Sequence, residues 1–201
     1  MMKTIDEIFD DVTLIGQSPN LIVRVKMPDR IFDEVKGWIE PCRKIKDDEY
    51  AELLNHHNVG TGHNSYQTAI PRRLIDNSFF LGYLLHLGQL YQKVSNIPGG
   101  EEDRRVHFRN YPGHFDGYDI WMNFTYKGDD NPEHNHAGSL SGIIYIKDED
   151  CQKTNFPAIS YAHEPEEGEI LIFQSHLLHS VDVKETESER ITSSFNLDVF
   201  Q

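Results

Sequence analysis

The sequence predicts an α+β fold that is mainly β: a double-stranded β-helix, or jelly roll, with supporting N-terminal helices packed on one sheet. From about Arg105 onward, roughly seven short alternating segments separated by turn signals are typical of a sandwich or jelly roll. Before that point the sequence includes a helix that is apolar nearly all round, and such a helix is usually buried against a sheet. We therefore expect the helices to lie outside the β core.

The length and composition fit one globular domain. A chain of 201 residues with 38% hydrophobic and 11% aromatic residues can bury a sizeable core. Within a single domain, 1–201, we predict two parts. Residues 1–104 supply the N-terminal strand and the helical support, and residues 105–201 form the double-stranded β-helix that carries the candidate site.

The charge and the absence of certain segments argue against several classes of protein. A formal net charge of −14 argues against a nucleic-acid partner, because a face that binds duplex nucleic acid is normally basic. The longest apolar stretch, Phe79–Tyr91, is interrupted by polar residues and is too short to cross a bilayer. The acidic start, MMKTIDEIFDD, lacks a signal-peptide pattern, and Cys42 and Cys151 suggest no disulfide framework. We expect a cytoplasmic protein without a membrane partner.

The first half predicts one strand followed by helices. Asn20–Lys26 alternates and is rich in β-branched residues, as a strand requires. Asp29 is a plausible N-cap of the next helix, which Pro41 kinks or ends. Further helices are predicted over Asp47–His57 and, as one long buried helix, over Leu74–Val94.

The second half predicts short strands. Besides a segment with two histidines, described below, they are VHFRNY, IWMNFTY, Leu140–Ile146, Ala158–Tyr161, EILIFQ, SVDV and ERITSSFNLDVF.

Two of these strands carry a row of polar residues. In the last strand, polar residues at every second position share one face: Arg190, Thr192, Ser194 and Asn196. In IWMNFTY, Asn123 and Thr125 share one face in the same way and alternate with apolar residues. If the apolar faces pack on the helices, the polar rows line the mouth of the barrel, where they need partners or a ligand. An inward arginine beside a hydroxyl suits a carboxylate, because the guanidinium can donate two parallel hydrogen bonds. The alternative is that this face is simply solvated.

The segment NPEHNHAGSLSGIIYIK places two histidines, His134 and His136, two residues apart. Side chains with this spacing point the same way on an extended segment, so the imidazoles form a potential pair of metal ligands. A third histidine, His179, lies in LIFQSHLLHSV, and Arg190 follows eleven residues later. For an isolated pair of histidines, a surface position without function is an equally good interpretation.

Three segments, NPEHNHAGSLSGIIYIK, GEILIFQSHLLHSV and ERITSSFN, together resemble the small 2-oxoglutarate/Fe(II) oxygenases of bacteria and phages. That family is related to the prolyl hydroxylases, and the resemblance covers roughly Asp119–Phe200. It implies Fe(II) as cofactor, with 2-oxoglutarate and O₂ as cosubstrates. It also implies hydroxylation of an unidentified substrate, with peptidyl proline among the candidates, and release of succinate and CO₂.

The resemblance also implies roles for individual residues. His134 and His179 match the first and the distal histidine that bind iron, and Arg190 matches the arginine that pairs with the far carboxylate of 2-oxoglutarate. Tyr145 matches a tyrosine whose hydroxyl helps to hold that same carboxylate, and Thr192 matches the hydroxyl residue often found two positions after the arginine, in the cosubstrate site. On the polar row, Asn123 is predicted to join this cosubstrate site. No protein residue is needed as an acid or a base.

One position departs from the family. His136 stands where the wider superfamily has Asp or Glu, so three imidazoles would bind the metal. This leaves the site one negative charge short of a triad of two histidines and a carboxylate. A bound 2-oxoglutarate dianion would neutralise Fe(II) by itself.

Two further residues are predicted to line a substrate site, Trp121 and His176. Two other functions stay open at this point. One is a three-histidine, cupin-type dioxygenase that needs no 2-oxoglutarate, and the other is a non-catalytic β-barrel module that binds a metal. Arg190 and Tyr145 favour the first interpretation, because a cosubstrate with a far carboxylate gives both a role.

Overall fold

The computed structural model describes residues 11–46, 66–95, 105–108 and 118–200. The predicted helix Asp47–His57 lies outside these residues. In chain order the elements are β1 (Val12–Ile15), β2 (Ile22–Lys26), α1 (Asp29–Lys36), α2 (Ile39–Lys46), β3 (Tyr66–Ala69), α3 (Arg72–Asp76), α4 (Phe80–Val94), β4 (Arg105–Phe108), β5 (Ile120–Thr125), β6 (Asn131–His134), β7 (Leu140–Asp148), β8 (Thr154–Phe156), a 3₁₀ turn (Pro157–Ile159), β9 (Tyr161–His163), β10 (Glu169–Gln174), β11 (His179–Val181) and β12 (Arg190–Phe200).

The strands form two antiparallel sheets. The larger sheet has the order β1-β2-β10-β7-β12-β5-β3, and β4 pairs with the far end of β12. The smaller sheet has the order β6-β11-β8-β9. This arrangement confirms the predicted double-stranded β-helix. Because β2 pairs with β10 and β1 pairs with β2, and because β3 pairs with β5, strands from residues 1–104 extend the larger sheet. The proposed division of the domain at residue 104 stays a prediction.

The larger sheet separates two hydrophobic cores. One core joins its outer face to the helices, and Ile144 of β7 and Phe195 of β12 pack there with Leu84 of α4. The other core fills the space between the sheets, where Tyr145 of β7 packs with Phe156 of β8. Successive residues of β7 therefore enter opposite cores, which is why its sequence is a continuous apolar run. The helices do pack on one sheet, as predicted.

The long helix predicted over Leu74–Val94 is wrong, because the chain forms two helices with a break between them. After α3, Asn77 and Ser78 donate side-chain hydrogen bonds to the carbonyls of Arg73 and Ile75. The Glu34 carboxylate accepts hydrogen bonds from the backbone N–H groups of Phe79 and Phe80 at the start of α4. Local polar side chains that satisfy helix ends compete with helix continuation.

Three other local predictions also differ from the structure. Asp29 is the first residue of α1 rather than its N-cap, which is Pro28. Pro41 neither kinks nor ends that helix; it lies in the first turn of α2, where a missing N–H leaves no helical bond unmade. The strand predicted over Ala158–Tyr161 begins only at Tyr161, because a 3₁₀ turn and Ser160, with a left-handed φ of 51°, come first.

Over the residues that the structure describes, none of the helices has the length and apolar character that crossing a membrane requires.

Candidate metal centre

Strand pairing brings the three predicted histidines together. His134 ends β6 and lies directly opposite His179, the first residue of β11. His136 follows two residues after His134, and its backbone N–H donates to the carbonyl of Ser175 (2.9 Å). Each imidazole offers one ligand nitrogen, and these three nitrogens all lie within 4.8 Å of one another. The predicted convergence is thus present in the structure.

Backbone carbonyls fix how two of these rings present their nitrogens. The Nδ1 of His134 lies 2.8 Å from the carbonyl of Pro132, and the Nδ1 of His179 lies 3.0 Å from the carbonyl of Leu177. A carbonyl can only accept, so each Nδ1 carries the proton. The Nε2 atom of each ring then has the lone pair that a metal requires, an arrangement common among metal-binding histidines.

The ring separations and the burial of the site also suit a metal ion. The Nε2 atoms of His136 and His179 lie 3.3 Å apart, and two bonds of about 2.1 Å at a right angle would put their nitrogens about 3 Å apart. Burial lowers the pKa of His134, although its hydrogen bond to Pro132 acts in the opposite direction. A lowered pKa favours the neutral imidazole, which is the form that binds a metal.

Aromatic rings surround His179 and approach His136. The His179 ring packs against Phe173 and Phe156, with centroids 5.0 Å and 5.9 Å away. The ring of Trp121, a half-buried residue, lies 5.7 Å from the ring of His136. The side of the site that Phe156 and Phe173 form is therefore apolar, and Trp121 forms part of the wall next to His136.

Arg190, the first residue of β12, is only 4% exposed. Its Nε donates to the Asp148 carboxylate (2.9 Å), and its Nη2 lies 3.4 Å from the hydroxyl of Thr154. The guanidinium carbon is 5.6 Å from the centre of the Tyr145 ring. Arg190 thus points inward, as predicted, and has a carboxylate from its own chain as a partner.

The Tyr145 hydroxyl donates to the same Thr154 hydroxyl (2.8 Å), and the Tyr145 ring is completely buried. This burial raises the pKa of the phenol well above its usual range, although the nearby Arg190 lowers it in part. Tyr145 is therefore a neutral hydrogen-bond donor at physiological pH. Thr154 lies opposite Val181 on β11, two residues beyond His179, so the arginine site and the histidine cluster share one sheet.

The polar row predicted on β5 and β12 faces inward and is hydrogen-bonded. Asn123 donates through Nδ2 to the hydroxyls of Thr192 and Ser194, both at 3.1 Å. The indole N–H of Trp121 donates to the Asn123 carbonyl oxygen (3.0 Å). The alternative of a solvated face is wrong for Asn123 and Thr192, since both are buried. The side chain of His176 is exposed in the turn that follows β10, and its place in the substrate site stays a prediction.

Sequence reasoning missed Asp148 and Thr154. Tyr145 and Asp148 are three residues apart, and in a regular strand they would point to opposite faces. The pairing of β12 with β7 shifts register between Ile191 and Thr192, and this irregularity brings both side chains to Arg190. The only sequence signal for Asp148 is a charged residue at the end of an apolar run.

Comparisons with known proteins agree with this description. The family described as "Putative 2OG-Fe(II) oxygenase" matches residues 147–196, a segment that includes His179 and Arg190 but begins after His134 and His136. Among curated proteins, no sequence matches this chain.

Two solved structures are similar in fold. One is a viral collagen prolyl hydroxylase from Paramecium Bursaria Chlorella virus-1 in a 2OG complex, with a TM-score of 0.51 and 10% identity over 88% of this chain and 94% of that chain. The other is a prolyl-4-hydroxylase from Pseudomonas putida, with a TM-score of 0.50 and 16% identity over 81% of this chain and 84% of that chain. The predicted fold is confirmed, and the family match agrees with the predicted resemblance over residues 147–196.

Proposed function

We propose that this chain is an oxygenase of the 2-oxoglutarate/Fe(II) class and that it binds Fe(II) through His134, His136 and His179; its fold, its matched segment and its histidine cluster support this. In this proposal 2-oxoglutarate is bound at Arg190 and Tyr145, and an organic substrate is hydroxylated with release of succinate and CO₂. The observation that carries the ligand assignment is the convergence of three imidazoles, two of which have Nδ1 engaged by a backbone carbonyl.

Three imidazoles fit a divalent transition metal, because neutral imidazole is a common ligand of iron and its neighbours in the periodic table. Bound Fe(II), together with 2-oxoglutarate and O₂, supplies the oxidising power that places a hydroxyl on a C–H carbon. The chain itself holds and orients these groups. Phe156 and Phe173 exclude water from the side of the site that His179 occupies.

The cosubstrate end of the site is formed by Arg190, Tyr145 and the polar row. Asp148 engages Nε of Arg190, so the Nη1 and Nη2 edge is the one that can form a paired contact with the far carboxylate of 2-oxoglutarate. The Tyr145 hydroxyl, now donating to Thr154, can donate to the same carboxylate. Asn123 and Thr192 are assigned to the wall of this pocket.

For the substrate we propose a peptidyl side chain, and proline is the first to test. The support is that two proteins with the same fold are prolyl hydroxylases. Trp121, beside His136, is the residue that we assign to the substrate side. Incubation of proline-containing peptides with Fe(II), 2-oxoglutarate and O₂ should add one oxygen atom, measured by mass spectrometry. If no peptide gains oxygen, the peptide proposal is wrong.

Binding of the metal and of 2-oxoglutarate tests the site itself. Anaerobic protein with Fe(II) should develop a weak visible charge-transfer band when 2-oxoglutarate is added. His179→Ala should lose bound metal, whereas His176→Ala, a change of the exposed histidine three residues earlier, should keep it. Unchanged metal stoichiometry in His179→Ala would show that the ligand set is wrong.

Arg190→Ala separates the cosubstrate from the metal. We expect the dissociation constant of 2-oxoglutarate to rise by about a hundredfold, because a charge-assisted pair with a carboxylate is lost. Fe(II) binding should change much less. An equal loss of both would contradict the role of Arg190, and consumption of O₂ without 2-oxoglutarate would favour the cupin-type alternative.

A further inference from the structure

A site with three histidine ligands has an excess of positive charge. Three neutral imidazoles add no charge to the two positive charges of Fe(II), and Arg190 adds a third. A 2-oxoglutarate dianion supplies only two negative charges, so the loaded site would retain one positive charge in a buried location. An uncompensated buried charge is costly, and structures normally pair or neutralise it.

Asp148 provides a negative charge beside Arg190, at the cosubstrate end of the site. Its side chain is 1% exposed, and its Oδ2 lies 2.9 Å from Nε of Arg190, whose side chain is 5% exposed. With Asp148 included, the positive charges of Fe(II) and Arg190 exceed the negative charge of the protein by two. One 2-oxoglutarate dianion, with its two negative charges, would balance this excess.

Other nearby charged residues of the described chain already form pairs of opposite charge. Glu169 pairs with Arg24 (3.2 Å), and Lys184 with Asp150 (2.6 Å). The buried carboxylate of Asp119 binds Asn196, which lies six residues further along β12, or roughly 20 Å from Arg190 at the rise of a strand. Asp148 is therefore the carboxylate that bears on the charge of the cosubstrate site.

We propose that Asp148 is the internal counter-ion of this site: it supplies, beside Arg190, the negative charge that His136 does not supply at the metal. This inference rests on the proposed function. In the absence of 2-oxoglutarate, Asp148 neutralises the buried guanidinium. When the cosubstrate binds, its far carboxylate shares Arg190 with Asp148, and the repulsion between the two carboxylates limits the affinity.

The proposal predicts an unusual sign for a substitution in a binding pocket. Asp148→Asn keeps an oxygen that can accept from Arg190 Nε but removes the charge, so 2-oxoglutarate should bind about tenfold more tightly. A residue that only holds Arg190 in place would give the opposite result, because its loss would weaken binding. The sign of the change therefore decides between the two roles.

A second substitution tests whether the negative charge can be moved within the site. His136→Asp adds a carboxylate at the metal, so 2-oxoglutarate should bind about tenfold more weakly than to the wild type. The double variant His136→Asp/Asp148→Asn restores the original charge, and its affinity should lie within about threefold of the wild type. A double variant weaker than His136→Asp alone would overturn the proposal.

The measurement is an anaerobic titration of 2-oxoglutarate into each Fe(II)-loaded variant, followed by the charge-transfer band. Asp76→Asn is the matched control, because Asp76 pairs with Arg72 on helix α3 outside the sheets, and it should leave the affinity unchanged. Titration with 2-oxopentanoate, which lacks the far carboxylate, should show a much smaller effect of Asp148→Asn.

Two outcomes separate the inference from the proposed function. If the wild type binds Fe(II) but not 2-oxoglutarate, the proposed function fails. If the wild type binds both and Asp148→Asn weakens the binding of 2-oxoglutarate, only the counter-ion role fails.

Thermal unfolding checks the fold of each variant. If Asp148→Asn does not fold, Asp148→Glu keeps the charge and should stay within about threefold of the wild type, whereas a position-only role predicts a larger loss.

Discussion

The imidazole rings of His134 and His179 are oriented by main-chain carbonyls, which accept a hydrogen bond from Nδ1, rather than by acidic side chains. Pro132 and Leu177 each lie two residues before the histidine that they orient. The orientation therefore follows from the local backbone path at β6 and β11. A partner of this kind adds no charge, which is consistent with a metal centre formed by neutral ligands.

Tyr145→Phe tests the hydroxyl at the cosubstrate end of the site. The change removes the bond to Thr154, so the free energy of unfolding should fall by about 1 kcal/mol, and the dissociation constant of 2-oxoglutarate should rise several-fold. Tyr91→Phe is the matched control, because the buried Tyr91 hydroxyl donates to the Leu21 carbonyl in the core between the larger sheet and the helices. The control should lose similar stability and leave 2-oxoglutarate binding unchanged. Chemical denaturation and the anaerobic titration measure both quantities.

At the residue scale, the sequence predicts the groups whose spacing is regular. The two-residue spacing of His134 and His136 and the alternation around Thr192 are both readable without a structure. Asp148 was not predictable, because its approach to Arg190 depends on a shift of register between β7 and β12. Strand pairing between distant segments leaves no local signal in one sequence.

At the scale of elements, β7 and β12 are held together by a close contact at Gly142. A Cβ at this position would lie 2.1 Å from Phe195 Cζ and 2.7 Å from the Leu171 carbonyl oxygen. Gly142→Ala should therefore lower the free energy of unfolding by about 2–3 kcal/mol, because a packed ring and a backbone atom cannot both move aside. Denaturant titration measures this value.

Gly82→Ala is the control with the opposite sign. Gly82 is exposed within α4, and a Cβ there meets nothing within 4 Å. Alanine has the higher helix propensity, so this variant should be more stable by about 0.5–1 kcal/mol. A destabilised Gly82→Ala, or a neutral Gly142→Ala, would contradict the packing described for these two elements.

The elements also show where periodicity succeeds and where it fails. The alternating segments Ile120–Thr125 and Glu169–Gln174 form the predicted strands. The helix predicted over Leu74–Val94 was wrong because its break depends on Glu34, a residue of another helix. Tertiary capping of this kind overrides an apolar pattern that would otherwise continue.

At the scale of the whole molecule, a buried polar network ties the two sheets together. His163 in β9 donates through Nε2 to the Glu169 carboxylate in β10 (3.0 Å), which also pairs with Arg24 in β2. Burial by itself would raise the pKa of Glu169. The hydrogen bonds from His163 and from the Glu166 N–H more than offset this, so the pKa lies below its usual range.

The sign of the pH dependence follows from this shift. A carboxylate with a lowered pKa in the folded state contributes stability that is fully present above its unfolded pKa of about 4.3. That contribution is lost as the pH falls through the folded pKa. Glu169→Gln should therefore be less stable than the wild type by about 1–3 kcal/mol at pH 7, and the difference should shrink below about pH 4. Denaturation at several pH values tests this, and a difference that grows on acidification would contradict it.

The class of fold was predictable because it depends on many short strands and a few apolar helices. The order of the strands was not, because β2 pairs with β10 far along the chain. The histidine cluster was predictable only in combination with its family resemblance. Its geometry depends on β6 pairing with β11.

The central claim is that one metal ion is held jointly by His134, His136 and His179. Crystals grown anaerobically with Fe(II) and 2-oxoglutarate test it through anomalous diffraction at the iron absorption edge. We expect one peak at about 2.1 Å from Nε2 of each ring. An absent peak, or a peak bound by only two of the rings, would contradict the account.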